Sequence, residues 1–557
     1  MFCGPSKSTM SSTPNRAPRA VDPPHSPGTS GSIALETWRP LHIPVFRALL
    51  AASLVSDVGT FMQSVGAAWL MVSISGKPMF VALVQTVSTL PFFLIAIVAG
   101  SLGDVVDRRK LILAAELWMF TFSVALALLT IAGLMSPWLL LGFILMVSIG
   151  AAFEAPAWQA IFPEMVPKED LPSAFALNGI EFNLSRAIGP GLAGAVVALA
   201  GAGVTFVLNA ASFLGVITVI LRWKRPVRRR MAPIETMSES IAAGFRYFRY
   251  APILRGVVLR AGVAMFFASS LWALLPILAR DLGAGSIGYG ILLTCFGAGA
   301  IAGALLLPHV RSLTSTEGVL SVGMGVVAFV IGAVGMLPSR PLLYGALLLG
   351  GAAWTPFMSV LNTAVQSLAP EWARARVLAF YLLVFEGSIA AGSAVWGAVT
   401  DRFGIRTAFL AAGMGLAISI LLKILYAMPK DAIDLSVWNH WPLPLSTAGP
   451  ALDEGPVLVT VEYVVHPEKA DEFKKAMHHY QRVRRRDGAV RWALYYDAKD
   501  RTRYLETFIV HSWAEHLRQH ARFTMEDRKI EEHVHSFVEQ PPKVSHFIYA
   551  AEHGRRG

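Results

Sequence analysis

The chain of 557 residues is 54% hydrophobic and 15% charged, with a formal net charge of +11, a pI near 9.7 and a mean hydropathy of +0.53. A soluble chain carries about 25% charged residues, so this composition excludes a soluble enzyme over most of the length. Its basic excess falls in short connections between apolar runs, where it orients a membrane chain rather than binding nucleic acid, and two cysteines exclude a disulfide framework.

Residues 1–40 are rich in Ser, Pro and Gly, lack an apolar core segment, and read as a disordered cytoplasmic tail rather than a signal peptide. Six apolar runs follow in the region 41–222, at 46–73, 79–101, 110–133, 137–162, 173–200 and 203–222. A linker at 223–253 contains the run RWKRPVRRR and the segment FRYFRY, which is either an amphipathic stretch lying on an anionic leaflet or a solvated basic connection. Six more runs, at 254–279, 286–307, 317–337, 341–366, 376–400 and 405–427, fill 254–430. Each is long enough to cross the hydrocarbon core of a membrane. The expected fold class is therefore an all-α polytopic membrane protein with twelve transmembrane helices in two six-helix repeats. Loops on the side of the termini hold Arg108, Arg109, Lys110, Lys168, the linker arginines, Arg311, Arg374, Arg376 and Lys430. Opposite loops hold Lys77, Arg280, Arg340, Arg402 and Arg406. This asymmetry places both termini in the cytoplasm.

The two sixes repeat one another. GAAFEAP at 150–156 aligns with GGAAWTP at 350–356, and GAVVALAGAGVTF at 194–206 aligns with GAVTDRFGIRTAF at 397–409, pairing Gly201 with Gly404 and Phe206 with Phe409. Parallel six-helix repeats in one membrane chain point to a rocking secondary transporter whose site lies at the midplane between the halves. Charges inside the spans then mark candidate sites, because a charge in the hydrocarbon costs at least about 2.5 kcal/mol. In EFNLSRAIGPGLAG at 181–194 and the turn before it, Asn178, Glu181, Ser185, Arg186 and Gly189 form a polar stripe on one helix. Asp57, Glu154 and Glu386 are the candidate partners of Arg186 on other spans, whereas Glu116 lies nearer the cytoplasmic end. Asp57 or Glu181, close to Arg186, is expected to take up and release a proton. The alternative is a static ion pair locking the halves, and Glu154 beside Pro156 reads as structural. Gln63, Gln85, Asn178 and Asn362 are candidates for hydrogen bonds to a ligand or for helix-to-helix contacts.

After a linker at 431–454, residues 455–551 read as strand, helix, strand, strand, helical segments and strand, the order of a ferredoxin-like α+β domain. Ten of the fourteen histidines lie from residue 455 onward, and His516 and His520 stand one helical turn apart. With no third ligand nearby in sequence, a polar dimer surface is favoured over a metal site, so no metal or other cofactor is expected.

The loop GSLGDVVDRRK at 100–110 resembles the signature of the major facilitator superfamily through Gly100, Asp104, Arg108, Arg109 and Lys110, with Val105 and Asp107 departing from it. That resemblance implies a loop that helps hold a cytoplasmic gate. Gly189, Pro190, Gly191 and Gly194 resemble the Gly-Pro motif of superfamily exporters that work as proton antiporters, with Ser185 in place of a glycine. FNLSRAIGP followed by FVLNAASFL is most similar to the group of enterobactin-type siderophore exporters and related macrolide and multidrug pumps, over about residues 40–428. The tail resembles dimeric domains of the antibiotic-biosynthesis-monooxygenase type. Together these resemblances imply a proton-coupled exporter of small amphipathic molecules in a bacterial cytoplasmic membrane. Its partners would be the substrate, protons, the lipid bilayer and a second copy met through the tail. The alternatives are an uptake permease of the same fold and a membrane-tethered enzyme with a monooxygenase-like tail. The chain has no Walker GxxxxGK[ST] run, which argues against an ATP-driven pump.

Overall fold

The computed structural model describes residues 38–105, 107–224, 237–337, 339–429, 433–438 and 451–550, without the side chains of 96–105 and 237–241. The N-terminal tail to residue 37, the linker arginines 228–230 and the side chains of Gly100 and Asp104 lie outside the described residues. Six helices form the first half: α1 (Pro44–Ile74), α2 (Pro78–Val105), α3 (Arg108–Ile131), α4 (Pro137–Met165), α5 (Leu171–Ala200) and α6 (Ala202–Arg222). Helix α7 (Met237–Tyr250) links it to the second half, which comprises α8 (Pro252–Asp281), α9 (Gly285–Leu313), α10 (Thr316–Val334), α11 (Arg340–Ser367), α12 (Glu371–Phe403) and α13 (Ile405–Ser419). Twelve of these helices are long and apolar enough to cross a membrane. Several start at proline (Pro44, Pro78, Pro137, Pro252), where the absent N–H is one the helix would leave unpaired anyway.

The sequence repeat is reproduced in backbone geometry. Gly201, between α5 and α6, has φ of 83°, and its counterpart Gly404, between α12 and α13, has φ of 82°. Both turns need a left-handed residue, and glycine takes that conformation without steric cost. The paired Phe206 and Phe409 are both fully buried. A hydrogen bond recurs as well: Trp158 Nε1 donates to Asn178 Oδ1 at 3.3 Å between α4 and α5, and Tyr381 hydroxyl donates to Asn362 Oδ1 at 2.8 Å between α12 and α11.

The tail is a four-stranded antiparallel sheet ordered β2-β3-β1-β4, made of β1 (Val457–Val464), β2 (Arg491–Tyr496), β3 (Arg503–Val510) and β4 (Lys543–Ile548). Helices α14 (Ala470–Arg486), α15 (Trp513–Arg522) and α16 (Met525–His535) complete it. Val457, Val459, Val461 and Tyr463 alternate inward from β1 against Phe473, Met477 and Tyr480 of α14. This is the expected ferredoxin-like arrangement.

Candidate functional site

The first half has a polar interior. Glu181 and Ser185 lie one turn apart on α5 and face α1, so that Ser53 Oγ donates to Glu181 Oε2 and Ser185 Oγ to Glu181 Oε1, each at 3.3 Å. Asp57, one turn beyond Ser53, brings its carboxyl into hydrogen-bond contact with that of Glu181. A second carboxyl pair forms between Glu116 of α3 and Glu154 of α4, within electrostatic reach of Asp57. Four carboxyls from four helices thus converge, with Glu116 at 2% and Glu181 at 5% exposure. Toward the end opposite the termini, Gln63 Oε1 accepts from Ser123 Oγ at 3.0 Å and from Asn209 Nδ2 at 2.8 Å.

Several expectations change on this geometry. Arg186 makes no ion pair or hydrogen bond with Asp57, Glu181, Glu154 or Glu386 among the described residues. It follows Ser185 by one position, and a rotation of about 100° carries it off the α1-facing stripe. Glu116, set aside by sequence reasoning, belongs to the cluster, because its counterpart Glu154 comes from a different helix and no local spacing signals the pair. Gln63 is 7% exposed and bonded within its own half, while Asn178 and Asn362 each accept from an aromatic side chain. These three hold helices together, and Gln85 is left half-buried on α2. Glu386 stands on α12, in the other half.

The Gly-Pro motif forms a crossing between halves. A β-carbon on Gly194 would lie 2.7 Å from Ser286 O of α9, and one on Gly290 would lie 2.7 Å from Pro190 O. Gly191 faces Thr294, Gly297 faces Ala187 and Gly189 packs on Phe61 of α1. Gly194 and Gly290 carry no β-carbon, so the two helices approach closely there. A second crossing joins α2 to α12, where Thr86 Oγ1 donates to Ala390 O at 3.0 Å. On the side opposite the termini, Arg280 Nη1 donates to Gly76 O at 2.7 Å and Trp69 stacks on Tyr289. The halves are therefore joined at that far side. Toward the side of the termini, Phe182 and Asn183 of α5 and Leu305 and Leu306 of α9 are exposed.

The signature loop works within its own half. Asp107 stands where the signature has glycine, and its side chain caps α3 by accepting from Arg109 N at 3.0 Å. Arg108 Nη1 donates to Ala160 O and to Glu164 Oε1, both at 3.0 Å, and Arg109 Nε donates to Ile220 O at 2.9 Å. The two arginines thus tie α3 to the ends of α4 and α6, where cations meet the negative ends of helices.

The tail is docked on the second half. Arg246 of α7 pairs with Glu515 of α15 at 2.9 Å, Arg522 lies 4.6 Å above the Trp372 ring, and Arg486 lies 5.5 Å above the Tyr247 ring. His516 is 2% exposed, so the expected dimer-surface role does not fit it. It faces His520, Nε2 to Nε2 at 3.3 Å, and packs against Trp513 and His546. Burial, reinforced by the neighbouring His520, pushes His516 down to about 3, and burial pushes His520 down to about 4, so both imidazoles are neutral near pH 7. No group of three or more His, Cys, Asp or Glu side chains among the described residues is arranged so that it could hold a metal ion.

Two six-helix halves related by a repeat, joined through glycine-lined crossings and enclosing buried carboxyls, define a secondary transporter of the major facilitator type. Solved structures agree at the level of fold. A bacterial homolog of the human lysosomal transporter Spinster, inward-facing and occupied, superposes with TM-score 0.58 at 16% identity over 70% of this chain and 97% of that one. A mutant form of the nucleoside transporter NupG gives 0.57 at 14% identity, over 69% and 100%. Residues 35–554 match the transmembrane secretion effector family, and the chain belongs to it. Among characterised relatives, the staphyloferrin A transporter of Staphylococcus aureus is 22% identical over 70% of this chain and 98% of its own. The multidrug efflux pump Tap of Mycolicibacterium fortuitum is 23% identical over 69% and 95%, and the enterobactin exporter EntS of Escherichia coli is 26% identical over 69% and 91%. Family and relatives are transporters rather than enzymes.

Proposed function

We propose that this protein exports small amphipathic molecules, drug-like or siderophore-like, in exchange for protons by alternating access, in the cytoplasmic membrane of a bacterium with both termini in the cytoplasm. The observation that carries the reading is the Asp57–Glu181 carboxyl contact, held between α1 and α5 beside the α5–α9 crossing. Two carboxyls in contact repel each other when both are ionised, so the pair favours holding a proton between them. Rocking about the crossings and admitting water from the far side alters the solvation of the pair and moves that proton. Glu154 and Glu116 extend the site within the same half, and Glu386 adds a carboxyl of the second half at a crossing. Gly189, Pro190, Gly191 and Gly194 form the pivot. The loop bearing Gly100, Asp104, Arg108 and Arg109 steadies the cytoplasmic ends of the first half, and Gln85 lines the cavity.

The direction of transport follows the relatives, whose names describe efflux and export. The cytoplasmic placement of the termini follows the basic residues gathered in the loops on their side. The tail acts as a dimerisation or regulatory module. Its uncovered sheet face, with Tyr495 and Phe547 exposed, is the surface for a second copy.

The test is dye efflux from bacterial cells expressing wild type, Asp57→Asn and Glu181→Gln, with and without a protonophore. Efflux that the protonophore abolishes, and that falls at least about tenfold in one carboxyl variant at normal membrane level, is expected. Efflux indifferent to both the protonophore and the substitutions would refute proton coupling at this pair.

A further inference from the structure

We infer that Arg186 is the anion-binding group of the transport site, so that the molecules carried bear a carboxylate or a comparably compact anionic group. The inference rests on the transporter reading above and narrows its substrate class.

Arg186 lies in the middle of a membrane-spanning helix, where an isolated cation costs at least about 2.5 kcal/mol even on lenient scales. Its half-buried side chain nevertheless makes no ion pair or hydrogen bond among the described residues. The carboxyls of its own half expected to neutralise it are engaged elsewhere: Glu181 accepts from Ser53 and Ser185 and meets Asp57, and Glu154 meets Glu116. Other arginines show what this chain does with a guanidinium when it is structural. Arg260, 1% exposed, binds Glu317 through both terminal nitrogens at 2.6 and 2.8 Å. Arg108 and Arg109 bind a carboxylate and helix-end carbonyls. Arg186 has neither kind of partner among the described residues.

Its location explains the difference. A β-carbon on Gly297 of α9 would lie 3.0 Å from Ala187 Cα and 3.6 Å from Arg186 O, so Arg186 stands within the α5–α9 crossing. One turn further toward the side of the termini, Phe182 and Asn183 are exposed. Arg186 therefore belongs to the helix that forms this crossing between the halves. At the other crossing, Gly387 of α12 abuts Phe93 of α2, and the adjacent Glu386 also makes no ion pair or hydrogen bond among the described residues. Asn183 and Glu386 occupy equivalent positions of the two repeats, in the register that pairs Gly201 with Gly404. The two crossings thus carry one cation from the first half and one carboxyl from the second, and neither neutralises the other among the described residues. A guanidinium offers five donors in a planar fork that matches a carboxylate or phosphate bidentately. An anionic substrate supplies the charge that the protein withholds.

The experiment uses the purified full-length chain, and the same chain in cells, with two fluorescent probes: calcein, which carries several carboxylates, and the cation ethidium. Binding of calcein that weakens about 10- to 100-fold in Arg186→Gln, the span expected for losing a charge-assisted bidentate contact, with ethidium binding unchanged, supports the inference. Should Arg186→Gln fail to reach the membrane, Arg186→Lys keeps the charge without the fork, and calcein affinity lowered about 5-fold, with ethidium unchanged, supports it equally. Calcein binding that is absent from wild type, or equal in wild type and the variants, overturns it. Competition by phosphatidylglycerol, with no calcein efflux from cells, would assign the anion to a lipid headgroup and also overturn it. The two readings fail separately. Protonophore-sensitive ethidium efflux without Arg186-dependent calcein binding leaves the exporter standing and removes this inference. Arg186-dependent calcein binding without any flux does the reverse.

Discussion

Gly290→Ala places one methyl group into the α5–α9 crossing, and its effect follows from two distances. The new β-carbon would lie 2.7 Å from Pro190 O and 3.0 Å from Gly194 Cα. Both neighbours are backbone, so no side chain can turn aside, and relief to ordinary contact at about 3.4 Å or more requires the helices to separate by about 0.7 Å. Forcing a methyl into a closed contact costs about 1–3 kcal/mol. Because that cost falls only on the arrangement in which α5 and α9 touch, it shifts the equilibrium toward opening on the far side by about 5- to 150-fold. The assay is maleimide labelling of Ser286→Cys, a position 6% exposed at the crossing, in a chain whose Cys3 and Cys295 are replaced by serine. The labelling rate should rise by that factor in Gly290→Ala. It should not change in Gly345→Ala, where a β-carbon meets nothing within 4 Å. Equal labelling rates in Gly290→Ala and its parent would refute the claim that this crossing closes the far side.

Glu317→Gln strips the carboxylate from the buried Arg260 and weakens the acceptor of Met428 N, so thermal stability of the purified protein should fall by about 3–5 kcal/mol; an unchanged unfolding midpoint would show the pair to be dispensable. Acidification should loosen the tail. The folded-state value of His516 lies below histidine's ordinary 6.5, so the unfolded chain binds the extra proton and the contribution, whole above about pH 6.5, is lost as pH falls. At about pH 5 the loss for His516 is about 2 kcal/mol, visible as a lower midpoint for unfolding of the tail in the full chain. His516→Phe should flatten that pH dependence. Glu515→Gln removes the shared acceptor of Arg246, Arg518 and Arg522; limited proteolysis should release the tail several-fold faster, and an unchanged rate would mean that the aromatic contacts at Trp372 and Tyr247 suffice for docking.

Spans, halves and tail are legible in the sequence because each rests on a strong local pattern: runs of about 20 apolar residues, glycines at matched offsets, and β-branched alternation after residue 455. Gly201 and Gly404 carry the repeat into geometry with φ values of 83° and 82°. The carboxyl cluster is half legible. Asp57, Glu154 and Glu181 stand out as charges in spans, but the pairing of Glu116 with Glu154 depends on how α3 packs on α4, which no spacing within either helix reveals. Arg186 departs from its expected ion pair for a reason the helix itself supplies, since one position along α5 is a change of face. Asp107 departs from the signature glycine and yet caps α3, a role that the following helix start makes readable. His516 and His520 are recognisable as a pair one turn apart, but the side of α15 that turns inward is fixed by Trp513 and β4, not by the spacing.

The central claim is that transport and proton movement are one process at Asp57 and Glu181. The most direct measurement is a pH step imposed across proteoliposomes holding the purified chain, with calcein and ethidium followed in parallel. A probe should accumulate against its gradient, driven by the proton gradient, with accumulation abolished by collapsing that gradient and lost in Glu181→Gln. Probe movement that only ever runs downhill, at the same rate with and without the pH step, would contradict it.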